Sequence, residues 1–496
     1  MINGEFRNLR GVWKSVLAVF LLLFIGVLIF SFRNEDSAEL ASAGSSSELL
    51  YLPLISNGAA PQCRFGVNVI QDPANVQLEK LRLGWYLNYQ ATGNLALNNH
   101  SKYVPVIRLS QTGPNAQDFS YSPSGTSLLD AIAANPGTDW LIGNEPDRKD
   151  FQDDMEPHVY AAAYAELYNI IKTADPQARV FAGTIVQPTP IRLQYLNMVL
   201  SSYAAQNGGA KMPVDGWSIH NFILNEVSCD YDPGNCWGAD IPPGVNADVG
   251  QVVAVQDNDN MDLFKQRIVA FRQWMADKGY AGLPLTVSEY GILMPDWLGF
   301  DANRVNTFMN ATFDYMETAV DPVLGDPNDN YKLVQTWSWF STGAVGDQYN
   351  GYLFQGAEGN YPWNLSAMGQ NYANYTANLI KEVDLYPSSF GSLPASPTAP
   401  ANLTLTATVA NSGTNVLPEN FVVRFFNGNP QTGGTQLGSD QVLSLEGCGH
   451  FKTVTYTWQN VPAGTYQIYV VVDALGAVSE SNEVNNSKMI SLTVGN

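Results

Sequence analysis

Positive charge is what this sequence has least of. Its 496 residues carry 25 Lys and Arg against 46 Asp and Glu, a net charge of −21. Only 14% of residues are charged at all, where about a quarter is usual. A nucleic-acid partner requires a basic face, and this composition cannot supply one. Cysteine is scarce as well: four in the whole chain exclude a disulfide-built scaffold and a multi-cysteine zinc protein. The four histidines form no ligand cluster, so no metal site is expected. Also missing are a Gly-x-Ser-x-Gly elbow, a His-Glu-x-x-His pair, a P-loop and any glycine-rich phosphate fingerprint after a strand. No cofactor is called for. Disorder is excluded over most of the length by 45% hydrophobic and 11% aromatic content.

The N-terminus speaks to compartment. Ser15 to Phe32 is an uncharged apolar run, preceded by Arg7, Arg10 and Lys14 and followed by Glu35, Asp36 and Glu39. Such a run is long enough to cross most of a bilayer core, with the remainder facing outward. A cleaved signal peptide is the alternative, because Ala41-Ser42-Ala43 has the small-x-small form. Both readings place the functional part outside the cytoplasm, membrane-anchored in one and secreted in the other.

Composition divides the chain into an anchor or signal segment at 1–36 and a Ser/Ala/Gly-rich tether at 37–62. A large domain follows at 63–386, then a Pro/Ser linker at 387–400 and a tail at 401–496. In the large domain, eight β-rich runs appear at Phe65–Ile70, Gly84–Tyr89, Tyr103–Leu109, Trp140–Gly143, Val180–Val186, Val214–Phe222, Leu285–Tyr290 and Leu333–Phe340. Between them lie helical patterns at Pro157–Thr173, Ile191–Ala205, Met261–Lys278 and Asp301–Val320. Eight strands with crossovers predict a (β/α)8 TIM barrel. The tail alternates with period two between Gly, Pro and Asn turns, which predicts a small immunoglobulin-like β-sandwich.

A barrel keeps its active site at the C-terminal strand ends. Those ends hold Asn88, Arg108, Asn144 and Glu145, His220, Glu289 and Tyr290, and Trp337 and Trp339. Two glutamates stand out, Glu145 after the fourth strand and Glu289 at the end of the seventh. Each follows apolar residues and precedes a turn, so both should project into the barrel mouth. Two carboxyls in different environments suit glycoside hydrolysis, which needs one protonated and one ionised.

The large domain resembles the clan A glycoside hydrolases, whose acid/base follows an Asn on strand four and whose nucleophile ends strand seven. Asn144-Glu145-Pro146 and Glu289 carry that resemblance. Trp85–Tyr89, Tyr103–Val106, Gly143–Asp147 and Ser218–His220 are similar to the endo-β-1,3-glucanase (family 128-like) core. The resemblance implies a retaining glycosidase with Glu145 as acid/base, Glu289 as nucleophile and a polysaccharide, most simply a β-glucan, as substrate. Tyr89 stands where that subfamily tends to have Trp, and Arg108 where an apolar residue or Trp is common.

Asn144 is placed to donate to a sugar 2-hydroxyl, and Tyr290 or His220 to hydrogen-bond the nucleophile. Trp337 and Trp339 share a strand face that suits a pyranose ring. Cys229 and Cys236 suit a local disulfide pinning a loop over the cleft, and Cys63 and Cys448 would join the large domain to the tail if paired. The tail resembles CARDB domains through Val471–Asp473 and Glu480–Asn486, a polar turn that would offer calcium ligands or satisfy itself. A glycan-binding surface adhesin without turnover is the competing reading.

Overall fold

The computed structural model describes residues 62–70, 75–92, 101–343 and 349–496. The apolar run at Ser15–Phe32 and most of the tether lie outside them. Among the described residues, no helix is long and apolar enough to cross a membrane.

The large domain is built on one curled, chiefly parallel sheet. Its strands are β1 (Gln62–Asn68), β2 (Leu83–Leu87), β3 (Lys102–Tyr103), β4 (Val106–Gln111), β5 (Phe119–Ser122), β6 (Asp139–Ile142), β7 (Arg179–Ile185), β8 (Gly216–His220), β9 (Leu285–Tyr290) and β10 (Thr336–Trp339). Their order is β3-β2-β1-β10-β9-β8-β7-β6-β4-β5. Every sequence-expected segment is found, the third one split. Pro105 lacks an N–H and interrupts that segment between β3 and β4. The chain still bridges its neighbours there, with Val104 N donating to Tyr86 O at 2.9 Å and Leu141 N to Pro105 O at 3.0 Å. β5 is an antiparallel addition to β4.

The expected helices appear as α2 (Pro157–Ala174), α3 (Pro190–Gln206), α4 (Met261–Asp277) and α5 (Ala302–Thr318), joined by α1 (Thr126–Ala134) and α6 (Ala367–Ala377). Asn260 and Asp301 start α4 and α5 by accepting backbone N–H groups of the first turn. Side chains on the outer face of the sheet meet these helices. Trp217 packs on Phe271 and Trp274, and Phe65 on Phe313 and Tyr372. The inner face is filled near its base by Trp85, Leu87, Val104, Val106, Leu141 and Phe181.

After β10, β11 (Phe354–Gln355) pairs antiparallel with β12 (Asn364–Leu365), and the tail beyond forms two antiparallel sheets of three and four strands. The strands are β13 (Leu385–Leu393), β14 (Ala401–Asn411), β15 (Asn420–Asn427), β16 (Thr435–Ser444), β17 (His450–Val461), β18 (Gly464–Val471) and β19 (Ser487–Val494). Leu403, Leu405, Ala407 and Val409 meet Phe421, Val423, Phe425, Ile468 and Val470 between the sheets. The stretch 387–400 is not a free linker. Its first half, residues 387–393, belongs to β13, which pairs with β14 from Leu385↔Asn411 to Leu393↔Thr404. An edge strand tolerates Pro387, whose missing N–H need not join a ladder, so the Pro/Ser composition hid a strand.

The sandwich is fixed to the end of the sheet where the parallel strands begin. Cys63, on β1, is disulfide-bonded to Cys448. Buried Arg64 forms a two-point pair with Asp329, both contacts at 2.7 Å, and donates to Ser412 O at 3.0 Å. Lys102 pairs with Glu446, and Arg179 lies 3.1 Å from His450 Nε2. The opposite face, where strands end, stays free for chemistry.

Because that disulfide closes a loop across 385 positions, its loss is expected to cost about 2–4 kcal/mol. A Cys63→Ser, Cys448→Ser variant should unfold at lower guanidinium concentration than the parent. An unchanged midpoint would mean that the Arg64, Lys102 and Arg179 contacts hold the tail unaided.

Candidate active site

Glu145 reaches the mouth through an unusual stretch of backbone. After β6, Gly143 takes φ +83° and Glu145 φ +47°, and Thr184 opposite takes φ +48°. Glu145 N donates to Thr184 O at 3.0 Å, which holds the turn. For Glu and Thr this left-handed conformation costs about 1–3 kcal/mol each, a cost usually found where function fixes the backbone.

Glu289 is aimed by a different device. Strict alternation would put it on the same face as Val287, toward the helices. Instead the register of β9 slips against both neighbours: Ile219↔Val287 is followed by His220↔Glu289, and Trp337↔Val287 by Trp339↔Tyr290. One extra residue between Val287 and Tyr290 is a bulge, and it turns Glu289 inward.

Between the two carboxylates stands His220. Its Nδ1 lies 3.2 Å from Glu145 Oε1 and its Nε2 3.3 Å from Glu289 Oε1. One polar atom from each of the three residues falls within 4.8 Å of the others. All three side chains are buried. Arg148 Nη1 lies 3.0 Å from Glu145 Oε2, and its Nη2 donates to Gly238 O at 3.3 Å. Three such ligands could hold a cation, but Arg148 already sets a positive charge against Glu145.

The electrostatics separate the carboxyls. Burial opposes ionisation of Glu145, yet Arg148 and His220 outweigh it and pull the pKa down to about 2. Glu289 is pushed up to about 7, first by burial and then by the charge of Glu145, against the favourable influence of His220 and Tyr89. Burial also works against a charged His220, while Glu289 and Glu145 raise its pKa. Of the two carboxyls, these influences favour a proton on Glu289 over one on Glu145. The sequence reading expected the reverse, Glu145 protonated and Glu289 ionised; the difference comes from Arg148, three residues beyond Glu145.

The other expected residues divide. Asn144 lies beside Glu145, its N donating to Asp153 Oδ2 at 2.7 Å and its Nδ2 to Gln152 Oε1 at 3.2 Å. Arg108 joins the same pair, with Nε 2.6 Å from Asp153 Oδ1, and is near enough to favour ionised Glu289. Asn88 is engaged elsewhere, accepting from the Tyr103 hydroxyl at 2.8 Å. Three residues face away from the site. Tyr290 packs on Phe264 and Trp339, Trp337 on Phe65, and Trp339 on Tyr290 while donating to Gly351 O. Ser338 between the tryptophans faces inward, toward Asn68, so the sheet's alternation puts both rings among the helices. They are core.

The aromatic lining lies just past the strand ends instead. Phe222 and Phe340 meet edge to face at 5.8 Å, beside Val186 and Leu224, with Tyr89, Trp237 and Tyr352 partly buried around them. The Tyr89 hydroxyl favours ionised Glu289, although neither it nor Glu289 Oε1 completes a well-aligned hydrogen bond. Sequence reasoning missed Arg148, Gln152, Asp153 and this cluster. Arg148 had a signal, a cation three positions after a glutamate.

Cys229 and Cys236 are disulfide-bonded in the loop after β8, the loop whose Gly238 meets Arg148. Buried Arg192 of α3 ties the two flanking loops together, with Nη1 2.6 Å from Asp147 Oδ2 and Nε 2.7 Å from Glu226 Oε1. In the tail, the Glu480–Asn486 turn satisfies itself only in part: Asn486 Nδ2 donates to Glu480 Oε1 and Glu480 N to Glu483 Oε1, while Asn485 Nδ2 donates to Asp384 Oδ1 outside the turn and the Oδ1 atoms of Asn485 and Asn486 are buried without a hydrogen bond.

Residues 65–227 match the family model described as glycosyl hydrolase catalytic core, and residues 382–489 match the CARDB model. Among solved structures, the chain is similar to a GH128 (subgroup II) endo-β-1,3-glucanase from Pseudomonas viridiflava at 15% identity. That match covers 63% of this chain and 98% of the other, with a TM-score of 0.41. A GH128 (subgroup VII) oligosaccharide-binding protein from Trichoderma gamsii matches at 14% identity over 64% and 95%, TM-score 0.37. The CARDB domain of a Pyrococcus furiosus protein, in complex with di-metal ions, matches at 23% identity over 24% and 98%, TM-score 0.21. No curated protein matches. The chain is thus similar to glycosyl hydrolase catalytic cores over residues 65–227 and to CARDB domains over residues 382–489.

Proposed function

We propose that the protein is an extracytoplasmic retaining glycoside hydrolase acting on a polysaccharide, with a β-glucan as the first candidate. The observation that carries this reading is the pair of buried glutamates, Glu145 and Glu289, brought within 4.8 Å through His220. Retaining enzymes hold their carboxyls about 5–5.5 Å apart, and inverting enzymes about 6.5–9.5 Å to admit a water. The short separation favours retention. Glu145 is then the acid/base and Glu289 the nucleophile, with Asn144 beside them for the 2-hydroxyl.

The split segment at Pro105 fits closure of the curled sheet into an eight-stranded barrel, and the seven tail strands fit an immunoglobulin-like arrangement. Two disulfides suit an oxidising compartment. A non-catalytic glycan-binding role is the weaker reading, because a binding cleft gains nothing from two buried carboxyls that must be held at different protonation states.

The test is a panel of β-1,3-, β-1,4- and mixed-linkage glucans, mannan and xylan, with the first-formed product read by proton NMR. A β-anomer released first from a β-glucan is the expected result. An α-anomer would exclude retention, and binding without product from any polymer would favour the non-catalytic role.

A further inference from the structure

His220 does more in this site than hold one glutamate. Each ring nitrogen faces a different carboxylate: Nδ1 is hydrogen-bonded to Glu145 Oε1 at 3.2 Å, and Nε2 lies 3.3 Å from Glu289 Oε1, a contact that a small turn of the carboxyl would align. A neutral imidazole has one N–H and one lone pair. With a neutral imidazole and a single proton on the carboxyls, two arrangements satisfy both contacts, and an imidazolium between two carboxylates lies midway between them. In one, Glu289 O–H donates to Nε2 and Nδ1–H donates to ionised Glu145. In the other, Glu145 O–H donates to Nδ1 and Nε2–H donates to ionised Glu289.

We propose that His220 relays the catalytic proton from Glu289 to Glu145, converting a resting site into one ready for glycosyl transfer. The inference rests on the glycosidase reading above. The step balances: the Glu289 O–H bond breaks as an N–H bond forms at Nε2, while the Nδ1–H bond breaks as an O–H bond forms at Glu145. The imidazole changes tautomer, and the site's net charge stays constant.

The surroundings account for both ends of the transfer. Arg148 beside Glu145 and the burial of Glu289 favour the resting arrangement. Positive charge growing on the anomeric carbon beside Glu289 favours the other, because it stabilises a carboxylate there. Tyr89 and Arg108 favour ionised Glu289 as well. Asp147 also acts on His220, but it is already paired with Arg192. Phe222 stands edge-on to the ring at 6.3 Å and keeps that side apolar.

His220→Gln and His220→Asn retain an amide donor but cannot pass a proton through. On the natural polysaccharide, whose leaving group must be protonated, each is expected to lose about 10²-fold or more in kcat. On an aryl β-glycoside whose phenolate leaves unaided, the loss should be under about 10-fold, and the alkaline limb of kcat/KM on the polysaccharide should move to lower pH. Equal losses on both substrates with an unmoved limb would reduce His220 to a structural group. Should neither variant fold, nitrogen-15 NMR of the wild-type imidazole decides: the protonated nitrogen should switch from Nδ1 to Nε2 when a cationic sugar-mimicking inhibitor binds. A fixed tautomer overturns the relay. A wild type that hydrolyses neither substrate would instead overturn the glycosidase reading itself.

Discussion

Glu289→Gln is expected to abolish polysaccharide hydrolysis, with kcat falling about 10⁴-fold or more. Glutamine keeps the shape and one hydrogen-bonding oxygen but cannot form the glycosyl ester. KM should change little, because the amide fills the same space. The same substitution should stabilise the protein at alkaline pH. In the folded chain Glu289 holds its proton up to about 7, while an unfolded glutamate releases it near 4.3. A raised pKa gives stability that is present below the unfolded value and lost as pH rises through the folded one. The loss therefore falls between about pH 4.3 and 7. Glutamine mimics the protonated form at every pH and escapes it. Melts at pH 5 and pH 8 should show the variant gaining on the wild type only at pH 8. Equal behaviour at both would mean that Glu289 is not buried against its charge, and residual turnover above about a hundredth of wild type would assign the nucleophile elsewhere.

How far this site could be read from sequence depends on which kind of information each residue carries. The two glutamates were legible because strand ends are marked by apolar runs and turn residues, and because a carboxylate at such a place is costly. The helices α2 to α5 were legible from period and caps. What was not legible lay in phase and in distance. Trp337 and Trp339 share a face, but sequence does not say which face lies inside the curled sheet. Tyr290 and Glu289 are adjacent, and only the bulge in β9 decides that one looks in and the other out. Asp153 and Gln152 lie in a loop without periodicity, and their partner Arg108 comes from another strand. The β13 strand was masked by its own proline and serines. Cys63 and Cys448, far apart in sequence, left their pairing open until the sandwich was seen against the base of the sheet.

The electrostatics of Glu145 are the part least accessible to pattern reading, and they make its removal the most informative substitution. Glu145→Ala is expected to cut turnover of the natural polysaccharide by about 10³–10⁴-fold, the contribution of a positioned acid/base. An aryl β-glycoside with a good leaving group needs no proton to depart, so its glycosylation step should survive. Sodium azide should then accelerate the second step by occupying the space of the missing carboxylate, and the product should be a β-glycosyl azide. The pH profile should change in a defined direction. In the wild type, loss of the site's shared proton near 7 sets the alkaline limb. Removing Glu145 deletes both the acid and the negative charge that helps to hold Glu289 protonated. Glu289 should therefore ionise at lower pH, and aryl glycoside cleavage should show a single acidic limb below 7 and a plateau above it. An α-glycosyl azide would place the nucleophile at a residue other than Glu289. An alkaline limb that persists in Glu145→Ala would show that another group supplies the proton, and the acid role would pass from Glu145 to that group.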